Sequence, residues 1–253
     1  MQNLVMIQAR MGSSRLPNKV LKDLCGKPDL QWVIERVKKS RRIDEVMVVT
    51  SIETENLPLI SLCANLGVRT FAGSENDVLD RFYQAAKLLR PQRIIRVTAD
   101  CPLFDWRYLD YALNEFREDA DYLWMGENGF PDGLDLEIIR FEALEEAWKN
   151  ARLQSEREHV TPFFRNNPNE FIIQVYDFPI KGIGHYRWTL DEENDYIMLK
   201  KIFGHFVSLG KEDFVTEDVL DFLRANPDVE KINSMYSRNE GLAKSIKEDR
   251  IVD

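Results

Sequence analysis

Short apolar runs alternate along the chain with longer stretches in which apolar positions recur every three or four residues. Residues 3–9 (NLVMIQA), 45–50 (EVMVVT), 68–71 and 93–98 (RIIRVT) carry the short aliphatic pattern of buried strands. Residues 30–39, 55–66, 76–89 and 106–117 carry the helical period, with Pro28 near the first turn of the first and Pro58 near the start of the second. This alternation predicts an α/β fold, a mostly parallel sheet with helices on both faces. Ligands of such sheets sit at the carboxyl ends of the strands.

The second half is less regular. GENGFPDGLDLEII (126–139) reads as a loop rich in Gly, Asp and Pro that enters a strand. Residues 142–150 and 155–166 read as helices. EFIIQVYDF (170–178) and HYRWTLD (185–191) read as strands that pair as a hairpin or ribbon. Residues 195–204, 217–225 and 238–249 complete the helices. With no internal repeat and no linker in view, the expectation is one domain over 1–253 with an inserted arm over roughly 126–186.

Composition narrows the function. The 253 residues are 44% hydrophobic, enough for a packed core, and no apolar run reaches a membrane span. The N-terminus lacks the basic-then-apolar order of a signal peptide. Cys25, Cys63 and Cys101 have neither pairing nor metal spacing, so reduced thiols and a cytoplasmic protein are expected. A net charge of −9 argues against a nucleic-acid surface. A cationic loop in such a chain therefore points to a local anion site.

That loop is MIQARMGSSRLPNKVL (6–21), directly after the first strand. Gly12, Ser13 and Ser14 can turn several backbone N–H groups to one point, a nest for an anion. Arg10 and Arg15 add forked donors suited to phosphate, and Lys19 adds a point charge. A solvated basic turn is the plainer alternative; its place at a strand end favours phosphate. Neither the P-loop spacing nor G-x-G-x-x-G is present. VTADCPLFD (97–105) places Asp100 at another strand end, as a Mg2+ ligand or as a turn former before Pro102. In RWTLDEENDY (187–196), Asp191 is either a second metal ligand or a helix N-cap.

Seven strings occur in order: IQARMGSSRLPNKVL, GKP, GSENDVLDRF, RVTADCPL, PDGLDLEI, REHVTPF and RWTLDEENDY. Together they resemble the cytidylyltransferase family, which includes the sugar-acid CMP synthetases and, nearest in pattern, the spore-coat polysaccharide biosynthesis branch. The resemblance implies a Rossmann-like nucleotidyltransferase fold whose arm contributes to a homodimer. It implies transfer of CMP from CTP to an acceptor, with Mg2+, releasing pyrophosphate. Arg10, Ser13, Arg15 and Lys19 match the triphosphate loop, of which Gly12 is also part. Gln8 and Ala9 match the backbone beside the cytosine, Asp80 and Arg81 an Asp-Arg pair next to the nucleotide, and Asp100 and Asp191 the two metal carboxylates. Arg15, Lys19 and Asp100 are then the catalytic set.

The chain departs from the pattern at four places. Asn18 replaces a frequent Gly in LPGK, Asp29 stands where GKP is usually followed by an apolar residue, and ADCPL replaces GDxPL. Thr189 stands where sialic-type enzymes carry an Asp two positions before the matched Asp191. For the acceptor, Asp135 and Glu137 offer hydroxyl partners, while Arg157, His159 and Arg187 offer positive or neutral donors; His159 reads equally well as a satisfied helix histidine. His185, His205 and Cys101 read as structural. The expected function is CMP transfer to a sugar acid or related cell-surface glycan precursor. The alternatives are a phosphorylated polyol or sugar acceptor, or a non-catalytic nucleotide-binding scaffold. CTP and a small-molecule acceptor are the expected partners, with no nucleic acid and no membrane.

Overall fold

The structure is a computed structural model that describes residues 1–13, 15–126, 129–238 and 240–252. Seven strands form one sheet: β1 (Asn3–Gln8), β2 (Glu45–Ser51), β3 (Arg69–Gly73), β4 (Arg93–Thr98), β5 (Tyr122–Trp124), β6 (Glu137–Arg140) and β7 (Ile173–Val175). Their order is β3-β2-β1-β4-β6-β5-β7. β1 to β4 are parallel, β6 is antiparallel to both neighbours, and β7 runs parallel to β5.

The two faces follow from the alternation of side chains along each strand. Leu4 and Met6 of β1 pack with Leu79, Phe82, Leu144 and Phe164. Val5 and Ile7 point the other way, into a cluster with Val33, Leu109, Leu199 and Phe203. The first face is covered by α3 (Val78–Leu89), α5 (Phe141–Asn150), α6 (Gln154–His159) and α7 (Pro162–Asn166). The second is covered by α1 (Asp29–Val37), α2 (Leu57–Asn65), α4 (Trp106–Glu115), α8 (Glu193–Ser208) and α9 (Thr216–Ala225). A last helix, α10 (Glu240–Lys247), follows. α3 turns an apolar stripe inward, Val78, Leu79, Phe82, Ala85 and Ala86 at helical spacing, whereas α6 has no apolar residue and buries Ser155 and Glu156.

Three expectations need correction. Residues 155–166 are two helices, because Val160 takes a positive φ of 71° and Pro162 begins a new helix. The segment 170–178 forms only β7, and it pairs with β5, a three-residue strand too short to stand out in the sequence. The segment 185–191 is extended but makes only an isolated bridge, Asp132 to Arg187. No hairpin joins the two. Within residues 129–186, β6 lies inside the sheet with Ile138 and Ile139 fully buried, and residues of α5 and α7 pack on its face.

Asp105 joins two of the covering helices. It caps α4 by accepting from Arg107 N at 3.1 Å and reaches Thr216 N and Oγ1 of α9 at 3.1 and 2.8 Å. Burial opposes its charge, but the bonds from Arg107 and Thr216 outweigh burial and hold its pKa below the usual carboxylate value. Its contribution is thus present above the ordinary aspartate pKa and lost as pH falls through the lower folded value. Asp105→Ala should cost about 2–3 kcal/mol at neutral pH, from a lost cap and unpaired buried donors. Urea unfolding at pH 7 and at pH 3 should show the deficit shrinking at the lower pH.

Candidate functional site

The carboxyl ends of β1 to β4 share one edge of the sheet, and the loop after β1 is built there. Met11 N donates to Asn56 Oδ1 at 2.9 Å, and the buried Asn56 also bonds Ser51 at the end of β2. A Cβ on Gly12 would fall 2.8 Å from Glu55 Oε1, so the loop lies close against the turn after β2. Ser13 N donates to Met11 O at 2.8 Å, and Ser13 Oγ accepts from Leu16 N at 3.3 Å. The expected nest therefore has one of its donors turned inward; Ser14, its third member, lies outside the described residues. Asn18 adopts the left-handed conformation (φ 58°) that the comparison with Gly anticipated. The short 3-10 turn Lys19–Leu21 that follows buries Val20 in the core and leaves Lys19 at the edge.

There Lys19 meets two carboxylates from distant segments. Its Nζ donates to Asp100 Oδ2 at 2.5 Å and to Asp191 Oδ1 at 2.6 Å. Burial would lower the pKa of Lys19, but Asp100 and Asp191 overcome it and hold the ammonium above its ordinary value. Burial likewise works against the Asp100 carboxylate, and Lys19 with Thr98 overcomes it in the opposite sense, downward. Both partners are charged at neutral pH. Arg15 completes the group, with Nη2 3.1 Å from Asp191 Oδ2 and Nη1 3.1 Å from Glu192 Oε1.

The second carboxylate is held by its own neighbourhood. Glu192 caps α8, so Asp191 is not the N-cap and its side chain is free to face Lys19. Arg187 bonds Asp195 twice at 3.0 Å, Asp132 at 3.2 Å and Ser237 O at 3.1 Å, and reaches Asp191 at 3.5 Å. Thr189 Oγ1 and Leu190 N both donate to Asp100 O, at 3.3 and 2.7 Å, tying the two acidic segments together. Thr189 thus serves as a main-chain clasp where the sialic-type pattern has an Asp. Trp188 N donates to Asp132 O at 2.6 Å, with Gly133 (φ 104°) packed directly against the Trp188 backbone. Asp132, partly buried and near Asp135, has its carboxyl pushed up to about 7 by desolvation and by Asp135, despite Arg238 and Arg187.

The remaining candidates divide. Arg10 pairs with Glu75 at the end of β3. Arg81 is almost fully buried nearby; its Nε and Nη1 have no partner among the described residues, and burial lowers its pKa to about 10. Ala9 is buried, its N–H on Val49 O. The Gln8 side chain turns to the other face of the sheet, where it accepts from Arg96 at 3.0 and 3.2 Å. Arg96 bonds Glu137 at 2.6 Å; Glu137 also meets the Tyr122 hydroxyl and, at 3.4 Å, Arg165. Asp135 accepts from Gly133 N and Arg238. His159 bonds Ser245 Oγ at 3.0 Å, and burial lowers its pKa, favouring the neutral ring.

Like Gln8, Glu137 and His159, Arg157 and Asp80 have their hydrogen-bond partners outside the Lys19 group. Arg157 ties α6 to Asp77, the cap of α3, and to Trp148 O. Asp80 bonds Trp148 Nε1 and Gln84. Arg187 supports Asp191 from behind, its guanidinium taken up by protein partners. Sequence reasoning missed Arg96, Arg165 and Asp195, and the C-terminal residues Asn233 and Arg238 that brace Asp195 and Asp135. The departure at Asp29 has a physical meaning: it is fully buried, neither oxygen has a partner among the described residues, and burial with the nearby Asp100 pushes its pKa well up. The Cys101 thiol is likewise pushed up by burial, as befits a structural role.

This edge suits an anion chelated by cations, beside carboxylates able to share a metal. Residues 4–207 match the family model described as cytidylyltransferase. The chain is 38% identical over 236 residues to the uncharacterized protein MJ1063 of Methanocaldococcus jannaschii, covering 92% of this chain and 95% of that one. It is 32% identical over 232 residues to the spore coat polysaccharide biosynthesis protein SpsF of Bacillus subtilis, covering 89% and 95%. A solved cytidylyltransferase from Leptospira borgpetersenii superposes with a TM-score of 0.86 at 31% identity, over 94% of this chain and all of that one. The chain belongs to the cytidylyltransferase family, and its reaction class is CTP-dependent nucleotidyl transfer. No helix among the described residues is long and apolar enough to cross a membrane.

Gly133 tests how the site is held. Gly133→Ala should destabilise the fold by roughly 1–3 kcal/mol through a disfavoured backbone conformation. Its Cβ would also come 2.6 Å from Trp188 C, so turnover should fall with it. Urea unfolding and initial rates on the same variant check both.

Proposed function

We propose that this enzyme transfers CMP from CTP to a sugar acid or related cell-surface glycan precursor, releasing pyrophosphate. The observation that carries the reading is the convergence of Arg15 and Lys19 with Asp100 and Asp191 at one edge of the sheet. A relative named for spore coat polysaccharide biosynthesis and others named 3-deoxy-manno-octulosonate cytidylyltransferase support the acceptor class. So does the Arg96–Glu137–Arg165 group, which sets two guanidinium groups on one carboxylate by the sheet and leaves them partly accessible.

Asp100 and Asp191 fit a Mg2+ ion, because both present an oxygen to one point and Mg2+ commonly takes one or two protein carboxylates, the rest of its shell coming from phosphates and water. When bound, the ion would neutralise phosphate charge and polarise the α-phosphoryl group. The chain's own residues do the remaining work. Arg15 and Lys19 would take the triphosphate oxygens and stabilise charge on the leaving pyrophosphate. Arg187, Asp195 and Thr189 fix where Asp191 and Asp100 stand, so that attack at the α-phosphorus occurs in a fixed geometry.

Two variants test these roles. Asp100→Asn should abolish pyrophosphate release from CTP while leaving CTP affinity, measured without divalent cation, within a few fold; retained turnover would remove Asp100 from the mechanism. Arg15→Ala should weaken CTP binding by about 1.5–3 kcal/mol, the worth of a charge-assisted contact. Calorimetry reads the second directly, and an unchanged Kd would take Arg15 out of the triphosphate site.

A further inference from the structure

Lys19 fills the place that the metal reading gives to an ion. Its ammonium touches Asp100 Oδ2 at 2.5 Å and Asp191 Oδ1 at 2.6 Å, and these are its only hydrogen-bond partners among the described residues. A divalent ion shared by the same two oxygens would lie about 2.1 Å from each. The ammonium and the ion would then overlap in space and repel in charge. The other oxygen of Asp191 is also engaged, by Arg15 at 3.1 Å and Arg187 at 3.5 Å. An arriving cation therefore meets two carboxylates whose converging oxygens already hold an ammonium.

We propose that Lys19 and the divalent cation exchange on Asp100 and Asp191, with the CTP triphosphate as the agent of exchange. The ammonium holds the two carboxylates together and keeps the cation out. The triphosphate draws Lys19 and Arg15 away from the carboxylates, and the cation takes their place. Leaving the carboxylates strands the ammonium unless an anion receives it, so metal and nucleotide enter together. Coupling of this kind is reciprocal: each ligand tightens the other through the same freed carboxylates. The proposal rests on the reading of Asp100 and Asp191 as the metal carboxylates.

The test is Mn2+ binding, read by electron paramagnetic resonance on the full chain. Without nucleotide, Lys19→Met should bind one Mn2+ at least tenfold more tightly than the wild type, and Lys19→Met combined with Asp100→Asn should lose that gain. With α,β-methylene-CTP, the wild type should bind Mn2+ tightly and Asp100→Asn should not. Equal Mn2+ affinity of the wild type and Lys19→Met without nucleotide, alongside Asp100-dependent binding with the analogue, overturns the exchange and leaves the metal reading standing. Nucleotide-dependent Mn2+ binding indifferent to Asp100→Asn overturns both. Should Lys19→Met fail to fold, the 15N-labelled lysine ammonium signals of the wild type decide. The Lys19 signal should hold its place in millimolar Mg2+ and move when the analogue is added with it. A full shift with Mg2+ alone overturns the proposal.

Discussion

One ammonium group holds the functional edge of this molecule together. Lys19 joins the loop after the first strand to the end of the fourth and to the segment before α8, spanning 81 and 172 residues of sequence. Placing three charged groups where water is scarce is unfavourable unless each has a partner. Here each does, and the pKa directions of Lys19 and Asp100 move apart as mutual stabilisation requires. Removing Lys19 would leave Asp100 part-buried without its cation, so the ammonium binds the three segments to a common geometry.

The sheet makes this meeting possible. Four parallel strands deliver their carboxyl ends to one edge, so residues that follow β1 and β4 become neighbours whatever the length of chain between them. The antiparallel β6 brings Glu137 back to the same region beside Arg96 and Gln8. The segment before α8 is not in the sheet. It is held by main-chain bonds to Asp132 and Asp100, and by a buried Arg187–Asp195 pair braced by Asn233.

Much of this was legible in the chain itself. Strands buried on both faces leave continuous apolar runs, so β1, β2 and β4 stood out, whereas three-residue β5 did not. The pairing of 170–178 was misjudged because local pattern says that a segment is extended, not which edge it will meet. Lys19 and Asp100 were visible because strand-end loops concentrate chemistry, and Asp191 because it stands just before a helix in a string that resembles the family's. Their mutual contacts were not, being set by distant packing. Arg157, Asp80 and Arg187 show the converse: charge made Arg157 and Arg187 candidates and the family resemblance made Asp80 one, and tertiary structure gave Arg157 and Asp80 to a helix junction and Arg187 to the support of Asp191. The burial of Asp29 could not be read from a position that equally suits an exposed helix start.

The account's central claim is that the Lys19–Asp100–Asp191 edge moves CMP from CTP to a sugar acid. Pyrophosphate release from CTP with Mg2+, across sugar acids and sugar or polyol phosphates, with ATP, GTP and UTP as controls, tests it most directly. The account predicts release with CTP and a sugar acid, and a CMP-linked product of matching mass. Release only with phosphorylated acceptors, or none from CTP with any acceptor while CTP still raises the Tm, would contradict it.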